Sequence, residues 1–213
     1  MIKKSFFVWV SLIFCISLFS LNVKAETKNS IIILGDSLSA AYGMAKEQGW
    51  VALANQHYRN NNLPYHIINA SISGETTAGG LARLPKLLNN ENVDLVIIEL
   101  GGNDGLRGFP PKLMKNNLLQ MIQLANKKNT PIALMEIKIP PNYGPQYTQL
   151  FTKTFTQVAK QTNTNLLPFF IESIATKPEL MQSDKIHPNI KAQPLMADIM
   201  INEINKLIDS NAN

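Results

Sequence analysis

Asp94-Leu-Val-Ile-Ile-Glu-Leu100 is the stretch of sequence that decides the fold. It is almost continuously apolar, and Gly101 and Gly102 follow it directly. A short apolar run of this kind, bounded by glycine, is typical of a strand that helices cover on both faces. We therefore expect a buried strand of a parallel sheet here, with helices in the segments on either side.

The segments around this strand alternate between strand and helix patterns. Further strands are predicted at residues 30–34, 65–69, 131–137 and 165–167. Apolar residues spaced three and four apart predict helices at residues 50–61, 77–88, 113–128, 146–161 and 188–208. Such alternation predicts one α/β domain with a mostly parallel sheet, without an internal repeat or a second domain.

The first 25 residues are predicted to be a secretory signal peptide. Lys3 and Lys4 form a positive start, residues 5–21 carry no charge, and Val23-Lys-Ala25 fits a cleavage site. An uncleaved membrane anchor is the alternative, because the apolar stretch approaches the length of a membrane span. We expect cleavage after Ala25, which leaves residues 26–213 as the mature domain with no stable membrane insertion.

The charge and the cysteine content of the chain change when this segment is removed. The 213-residue chain has a formal net charge of +5, and loss of three lysines lowers it to +2. So small an excess does not indicate a nucleic-acid partner. The single cysteine, Cys15, also lies in the predicted signal, so the mature domain would have no disulfide, cysteine nucleophile or thiolate-bound metal.

Polar residues cluster in the segments that follow four of the predicted strands. The clusters are Gly-Asp-Ser-Leu-Ser at 35–39, Asn-Ala-Ser-Ile-Ser-Gly-Glu-Thr at 69–76, Gly-Gly-Asn-Asp at 101–104 and Asp-Lys-Ile-His-Pro at 184–188. Ligands of open α/β sheets bind beyond the carboxyl ends of the strands, so these clusters are predicted to meet at one edge. Each is weak evidence alone, since Gly-Asp-Ser usually marks a plain turn.

The histidines limit which residue could act as a general base. His57 lies in a predicted helix and His66 in a predicted strand, whereas His187 lies in a loop at the predicted ligand-binding edge. Asp184 precedes His187 by three residues, and its carboxylate could accept from Nδ1 and leave Nε2 free. We predict His187 as the general base and Asp184 as the residue that orients it.

Ser37 is the predicted nucleophile, because it follows a strand and a glycine that permits a tight turn. Ser39, Ser71 and Ser73 lie nearby and remain alternatives on position alone. The surrounding sequence is not Gly-x-Ser-x-Gly, so the nucleophile elbow of the α/β-hydrolase fold is not indicated.

Gly74 and Asn103 are predicted donors to an oxyanion, through a backbone N–H and a side-chain amide. For Gly74 the alternative is the start of a helix capped by Thr76 or Thr77. For Asn103 the alternative is an Asx-turn after the strand.

These four blocks, in this order, resemble the SGNH (or GDSL) hydrolase family, and its bacterial periplasmic thioesterase, lysophospholipase and arylesterase branch in particular. Gly80-Leu-Ala-Arg-Leu-Pro85 and Leu167-Pro-Phe-Phe170 strengthen the likeness, as does the segment 99–108. The resemblance covers nearly the whole mature chain. It implies a flavodoxin-like three-layer α/β/α sandwich with a five-stranded parallel sheet in the order 2-1-3-4-5.

The resemblance also implies the activity and the site. Ser37, His187 and Asp184 would form a catalytic triad, and Ser37, Gly74 and Asn103 would form the oxyanion hole. The enzyme would hydrolyse small-molecule acyl esters or thioesters in the periplasm, without a metal or cofactor, and we expect a monomer. A carbohydrate O-acetylesterase is the alternative activity, and a non-catalytic binding module is the alternative from another functional class.

The acyl pocket is predicted from two loops. Residues 105–110 follow Asn103 and could form a mobile flap, in which Leu106 and Phe109 contact an acyl chain. Ile139 and Tyr143 could line the opposite wall. Ordinary loop packing is the alternative for all four residues.

Overall fold

The computed structural model describes residues 29–89 and 93–211, and the predicted signal peptide lies outside them. Five strands in the described chain form one sheet: β1 (Asn29–Gly35), β2 (Tyr65–Asn69), β3 (Val93–Glu99), β4 (Ile132–Met135) and β5 (Asn165–Leu167). All pairings are parallel, and the order is β2-β1-β3-β4-β5. The predicted fold and strand order are confirmed.

Helices flank this sheet in two groups. Their bounds are α1 (Trp50–Asn60), α2 (Thr77–Leu88), α3 (Gly102–Leu106), α4 (Pro111–Lys127), α5 (Pro145–Thr162), α6 (Glu172–Ala175) and α7 (Gln193–Asn211). Helix α1 packs against α7, and α4 packs against both α2 and α5. Within the described ranges, no helix is both long enough and apolar enough to cross a membrane.

The central strands are buried because both of their faces meet helices. Residues 31–34 of β1 and 96–98 of β3 are at most 1% exposed. Burying each of these aliphatic side chains stabilises the fold by about 1.5–3 kcal/mol relative to its exposed state. This rigid centre ends at Gly35 and Glu99, where the chain leaves the sheet and the polar clusters begin.

Four helices differ from the predictions by more than one residue. Helix α4 begins at Pro111, two residues before the predicted start, because proline is well suited to the first turn of a helix. Helix α7 begins at Gln193 rather than residue 188, because Pro188 forms an antiparallel bridge with Met181 and a 3-10 turn, Ile190–Ala192, comes next. Helices α3 and α6 lie where the sequence predicts only loops.

Candidate active site

The turn after β1 carries Ser37 to the carboxyl edge of the sheet. The N–H of Ala40 donates to the Asp36 carbonyl oxygen at 3.0 Å, which closes this turn. Gly35 lacks a side chain for a steric reason, because a Cβ there would overlap the Glu99 carboxyl group and lie 2.8 Å from Ser71 Oγ. The glycine before Ser37 is therefore required by close packing.

Ser37, His187 and Asp184 form one hydrogen-bonded row. Ser37 Oγ lies 2.9 Å from His187 Nε2, and His187 Nδ1 lies 2.6 Å from Asp184 Oδ2. Ser37 and His187 are 150 residues apart in sequence, so the fold itself brings them together. The other two histidines, His57 and His66, are exposed in α1 and β2.

The loop that carries His187 is shaped by the carboxylate of Asp184. Asp184 Oδ1 accepts hydrogen bonds from the N–H groups of Ile186 at 2.9 Å and His187 at 3.0 Å. Lys185 takes a left-handed φ of 58°, which allows this tight turn. Desolvation acts to raise the pKa of Asp184, but the hydrogen bonds from His187 and Ile186 outweigh it and lower that pKa to about 2. The Asp184 carboxyl group is therefore ionised at neutral pH.

Two residues that the sequence patterns do not single out, Tyr42 and Gln182, position His187 and its loop. The rings of Tyr42 and His187 lie 4.2 Å apart between centroids, inclined by 32°. Gln182 Nε2 donates to the carbonyl oxygens of Tyr42 at 2.9 Å and of Pro188 at 3.1 Å. This amide joins the two loops that carry Ser37 and His187. A possible sequence signal is Gly43, whose φ is 75° and whose Cβ would clash with Gln182.

The predicted oxyanion donors lie at the ends of three adjacent strands, β2, β1 and β3. Asn103 is half-buried in α3, and its Nδ2 donates to Asp36 Oδ2 at 3.1 Å. Gly74 has a φ of 80°, which glycine adopts readily. In the part of the chain that the structure describes, no hydrogen bond uses the backbone N–H of Ser37 or Gly74. Both N–H groups are therefore free to bind an anion.

The loop that carries Gly74 is anchored at several points. The N–H of Ile72 donates to the Gly35 carbonyl oxygen at 3.1 Å, and Arg107 Nη2 donates to the Gly74 carbonyl oxygen at 3.1 Å. Thr76 also caps α2, since its Oγ1 accepts from the N–H of Gly79 at 3.3 Å. Capping of α2 by Thr76 is therefore compatible with a Gly74 N–H that remains free to donate.

Asp104, beside Asn103, ties three helices together. Its carboxylate accepts from the Thr77 N–H at 2.8 Å and from Thr77 Oγ1 at 2.6 Å. Asn117 Nδ2 of α4 donates in turn to Thr77 Oγ1 at 3.0 Å. All three residues are buried. This network fixes α3, and with it Asn103, against the start of α2 and against the second turn of α4.

A cavity of about 400 Å³ opens beside Ser37 and His187. Leu106 and Ile139 lie in its wall, and contact with an acyl chain stays a prediction for both. Other apolar residues of the wall are Ile137, Pro140, Phe169, Ile171, Met181 and Ile186. Lys138, Lys185 and Glu172 add charge at the cavity. Beyond this, no group of three metal-binding side chains is found in the described residues.

Phe109 and Tyr143 do not line this cavity, in contrast to the prediction. Both side chains are exposed, and Tyr143 Oη donates to the Leu106 carbonyl oxygen at 2.8 Å. Tyr147 Oη donates a hydrogen bond to the Phe109 carbonyl oxygen at 2.7 Å. Tyr143 thus supports the Leu106 segment from outside the cavity.

Gly105 also has a packing role. It lies inside α3, and a Cβ there would be 2.7 Å from the side chains of both Ile139 and Phe151. Close contact therefore explains this glycine, and mobility of residues 105–110 stays a prediction.

Comparison with known proteins identifies the class of enzyme. Residues 33–193 match the model of the GDSL-like lipase/acylhydrolase family. The chain belongs to this family. It is therefore a hydrolase, and the resemblance drawn from the sequence blocks is confirmed.

Two family relatives align over most of their length. The chain is 42% identical over 197 residues to an arylesterase of Vibrio mimicus, covering 92% of this chain and 98% of the relative. It is 43% identical over 189 residues to thioesterase 1/protease 1/lysophospholipase L1 of Escherichia coli strain K12, covering 89% of each.

A solved family structure has the same architecture. The psychrotrophic esterase EstA from Pseudoalteromonas sp., inhibited by monoethylphosphonate, matches with a TM-score of 0.83 and 51% identity. The match covers 85% of this chain and 100% of that one.

Proposed function

We propose that this chain hydrolyses carboxylic esters and acyl thioesters through an acyl-enzyme formed on Ser37. The observation that carries the proposal is the row of contacts from Ser37 Oγ to His187 Nε2 at 2.9 Å and from His187 Nδ1 to Asp184 Oδ2 at 2.6 Å. A serine hydroxyl needs an adjacent base, and that base needs a group to orient it. This row supplies both.

The reaction proceeds in two steps. His187 Nε2 takes the proton of Ser37 Oγ as that oxygen attacks the acyl carbonyl carbon. The imidazolium then gives this proton to the departing alcohol or thiol, and an ester bond joins the acyl group to Ser37. In the second step His187 deprotonates a water molecule, which attacks the acyl-enzyme. The imidazolium then returns this proton to Ser37 Oγ as the bond between Ser37 and the acyl group breaks, and the carboxylic acid is released. Asp184 stays ionised throughout, because its pKa is held at about 2.

Negative charge that develops on the acyl oxygen requires preorganised donors. The free N–H groups of Ser37 and Gly74 and the amide of Asn103 are suited to this role, since all three lie just past adjacent strands. Such donors need no reorganisation when the charge appears, which is why they accelerate acyl transfer.

The cavity beside Ser37 supports an acyl group as the recognised part of the substrate. Its wall is largely aliphatic and aromatic, and a volume of about 400 Å³ falls within the range of small-molecule sites. The names of the relatives, arylesterase and thioesterase, agree with ester and thioester substrates. Export to the periplasm after removal of residues 1–25, and action as a monomer, belong to the same proposal.

Covalent labelling tests the nucleophile directly. A fluorescent organophosphonate should label the purified protein, and Ser37→Ala should abolish both the label and p-nitrophenyl ester hydrolysis. Ser73→Ala is the matched control, because this exposed serine lies at the same edge of the sheet. Label that survives Ser37→Ala but not Ser73→Ala would show that Ser73, rather than Ser37, is the nucleophile.

A substrate panel tests the acyl pocket and the leaving group. Acyl thioesters, p-nitrophenyl esters, a lysophospholipid and an acetylated sugar would be compared at several acyl lengths. Truncation of the cavity wall by Leu106→Ala or Ile139→Ala should shift the preferred acyl length, whereas Phe109→Ala should not. Hydrolysis confined to the acetylated sugar would favour the O-acetylesterase alternative.

A further inference from the structure

Two acidic side chains lie buried beneath Ser37, and the mechanism above uses neither. In the pairing of β1 with β3, Gly35 lies opposite Glu99, so the Glu99 side chain reaches the turn at the end of β1. Its Oε2 accepts from the N–H of Asp36 at 3.2 Å and from Ser39 Oγ at 2.8 Å. Glu99 is 1% exposed and Asp36 is 3% exposed.

The carboxyl groups of Glu99 and Asp36 share one buried site. Among the described residues, no lysine or arginine forms an ion pair with either of them. Two neighbouring buried carboxyl groups cannot both ionise at ordinary cost, because each loses hydration and repels the other. We therefore expect the pair to retain one proton where an isolated carboxyl group would have none.

The surroundings of each group lead to the same conclusion. Burial raises the pKa of Glu99 well above its usual value, and the charge of Asp36 raises it further. Burial also raises the pKa of Asp36, to about 6, although the N–H of Leu38, the charge of His187 and the Asn103 amide act in the opposite direction. Both effects favour one proton shared by the pair, and they favour its residence on Glu99, which is the more deeply buried of the two.

One oxygen of Glu99 supports this assignment independently. Glu99 Oε1 is buried and has no hydrogen-bond partner in the described part of the chain. A buried oxygen that bears ionic charge without a partner is far more costly than the same oxygen in a neutral group. The contacts around Glu99 therefore suit a protonated carboxyl group.

The pair is connected to the oxyanion donors through Asp36. Asp36 Oδ1 accepts from the N–H of Leu38 at 3.1 Å, and Oδ2 accepts from Asn103 Nδ2 at 3.1 Å. An amide nitrogen carries two N–H groups, so the bond to Asp36 uses one and sets the direction of the other. Any displacement or added charge at Asp36 would change the amide that is proposed to bind the oxyanion.

We propose that Glu99 is a positioning residue, whose protonated carboxyl group holds Asp36 in place and keeps the charge beneath the Asn103 amide at one. A second negative charge at this depth would oppose the oxyanion that forms above it, because charges interact strongly where water is excluded. This inference rests on the proposed function, and Ser37→Ala distinguishes the two, since it tests the nucleophile without changing Glu99.

Two substitutions separate a neutral role from a charged one. Glu99→Gln retains the shape of a neutral carboxyl group, and it should keep kcat within about threefold of the wild-type value. Glu99→Ala releases Asp36, and it should lower kcat by about 10- to 100-fold with little change in KM, somewhat less than loss of an oxyanion donor itself. Glu136→Gln is the matched control, because Glu136 lies just past the neighbouring strand β4 and does not line the cavity.

Infrared difference spectroscopy at pH 7 supplies a readout independent of activity. The wild-type protein should show the carbonyl stretch of a protonated carboxyl group, and Glu99→Gln should lose it while Glu136→Gln keeps it. The inference is overturned if this band is absent from the wild-type protein, or if folded Glu99→Gln loses as much kcat as Glu99→Ala. It is also overturned if folded Glu99→Ala keeps full kcat. If Glu99→Ala does not fold, Glu99→Gln and the infrared band still decide the question.

The proposed function fails if the wild-type protein has no esterase activity and if the organophosphonate labels Ser37→Ala as strongly as it labels the wild-type protein. The infrared band then reports on Glu99 alone. Loss of the positioning role and loss of the proposed function therefore give different patterns of results.

Discussion

Replacement of Asn103 by alanine tests the oxyanion hole in the most direct way. The substitution removes one of three proposed donors and leaves the N–H groups of Ser37 and Gly74 in place. Loss of a single such donor costs about 10²–10³ in kcat, or roughly 2.7–4 kcal/mol of transition-state stabilisation. KM should change little, because this donor acts mainly on charge that develops during the reaction.

The same substitution also has a structural cost that can be measured separately. It removes the bond from Asn103 Nδ2 to Asp36 Oδ2, at 3.1 Å. A hydrogen bond to a charged group contributes about 1.5–3 kcal/mol to stability. At roughly 2–4 °C per kcal/mol for a domain of this size, the melting temperature should fall by several degrees. The folded fraction at assay temperature therefore has to be measured beside kcat.

The assay is steady-state hydrolysis of a p-nitrophenyl ester, with circular dichroism melting of each variant. Asn116→Ala is the control, because Asn116 is exposed on α4, away from the cavity. A folded Asn103→Ala enzyme that keeps kcat within about threefold of wild type would refute the reasoning, since no donor of the proposed strength could then have been lost.

Three further predictions concern the base, its packing and the buried acids. Asp184→Asn should lower kcat by about 10³–10⁴-fold in a p-nitrophenyl ester assay, because the amide would favour the wrong tautomer of His187; a loss under tenfold would contradict this role. Tyr42→Ala should lower kcat by about two- to fivefold and shift the acidic limb of its pH profile, while Tyr42→Phe, which keeps the ring, should match wild type. Burial raises the pKa of Glu99 well above its usual value and raises the pKa of Asp36 to about 6, so the folded state binds their protons more tightly than the unfolded state does. The free energy of unfolding should therefore decrease as pH rises above about 4, where the carboxyl groups of the unfolded chain lose their protons, and urea denaturation of Glu99→Gln should show a shallower decrease.

The positions of the strands, and the meeting of the polar loops at one edge of the sheet, could be predicted from the sequence because both depend on local patterns. Continuous apolar runs mark β1 and β3, and a parallel sheet brings the loops after its strands to one edge. Ser37 and His187 could be singled out on that basis, although they lie 150 residues apart. Their contact itself required coordinates, because no local pattern specifies the path of the loop before α7.

The errors arose where tertiary contacts override a local signal. Proline suits a helix start, so nothing in the sequence argued against a helix from Pro188, yet its bridge to Met181 keeps that segment extended. Phe109 and Tyr143 are of the residue types that commonly line an apolar pocket, but both side chains are exposed and lie outside the cavity wall. The direction of an aromatic side chain in a loop depends on backbone hydrogen bonds that composition does not encode.

The position of Glu99 in the sequence indicates a functional site, although it resembles an exception in an apolar strand. It is an acidic residue in the last position of a strand whose four preceding residues are apolar and buried, and an unpaired charge there would be costly. The same register that places it opposite Gly35 excludes any side chain larger than glycine there. Gly35 and Glu99 therefore depend on each other, because the strand pairing that builds the core also places a carboxyl group beneath the proposed nucleophile, Ser37. An acidic residue that ends a buried strand beside a catalytic turn is thus better interpreted as part of the site than as an exception in the core.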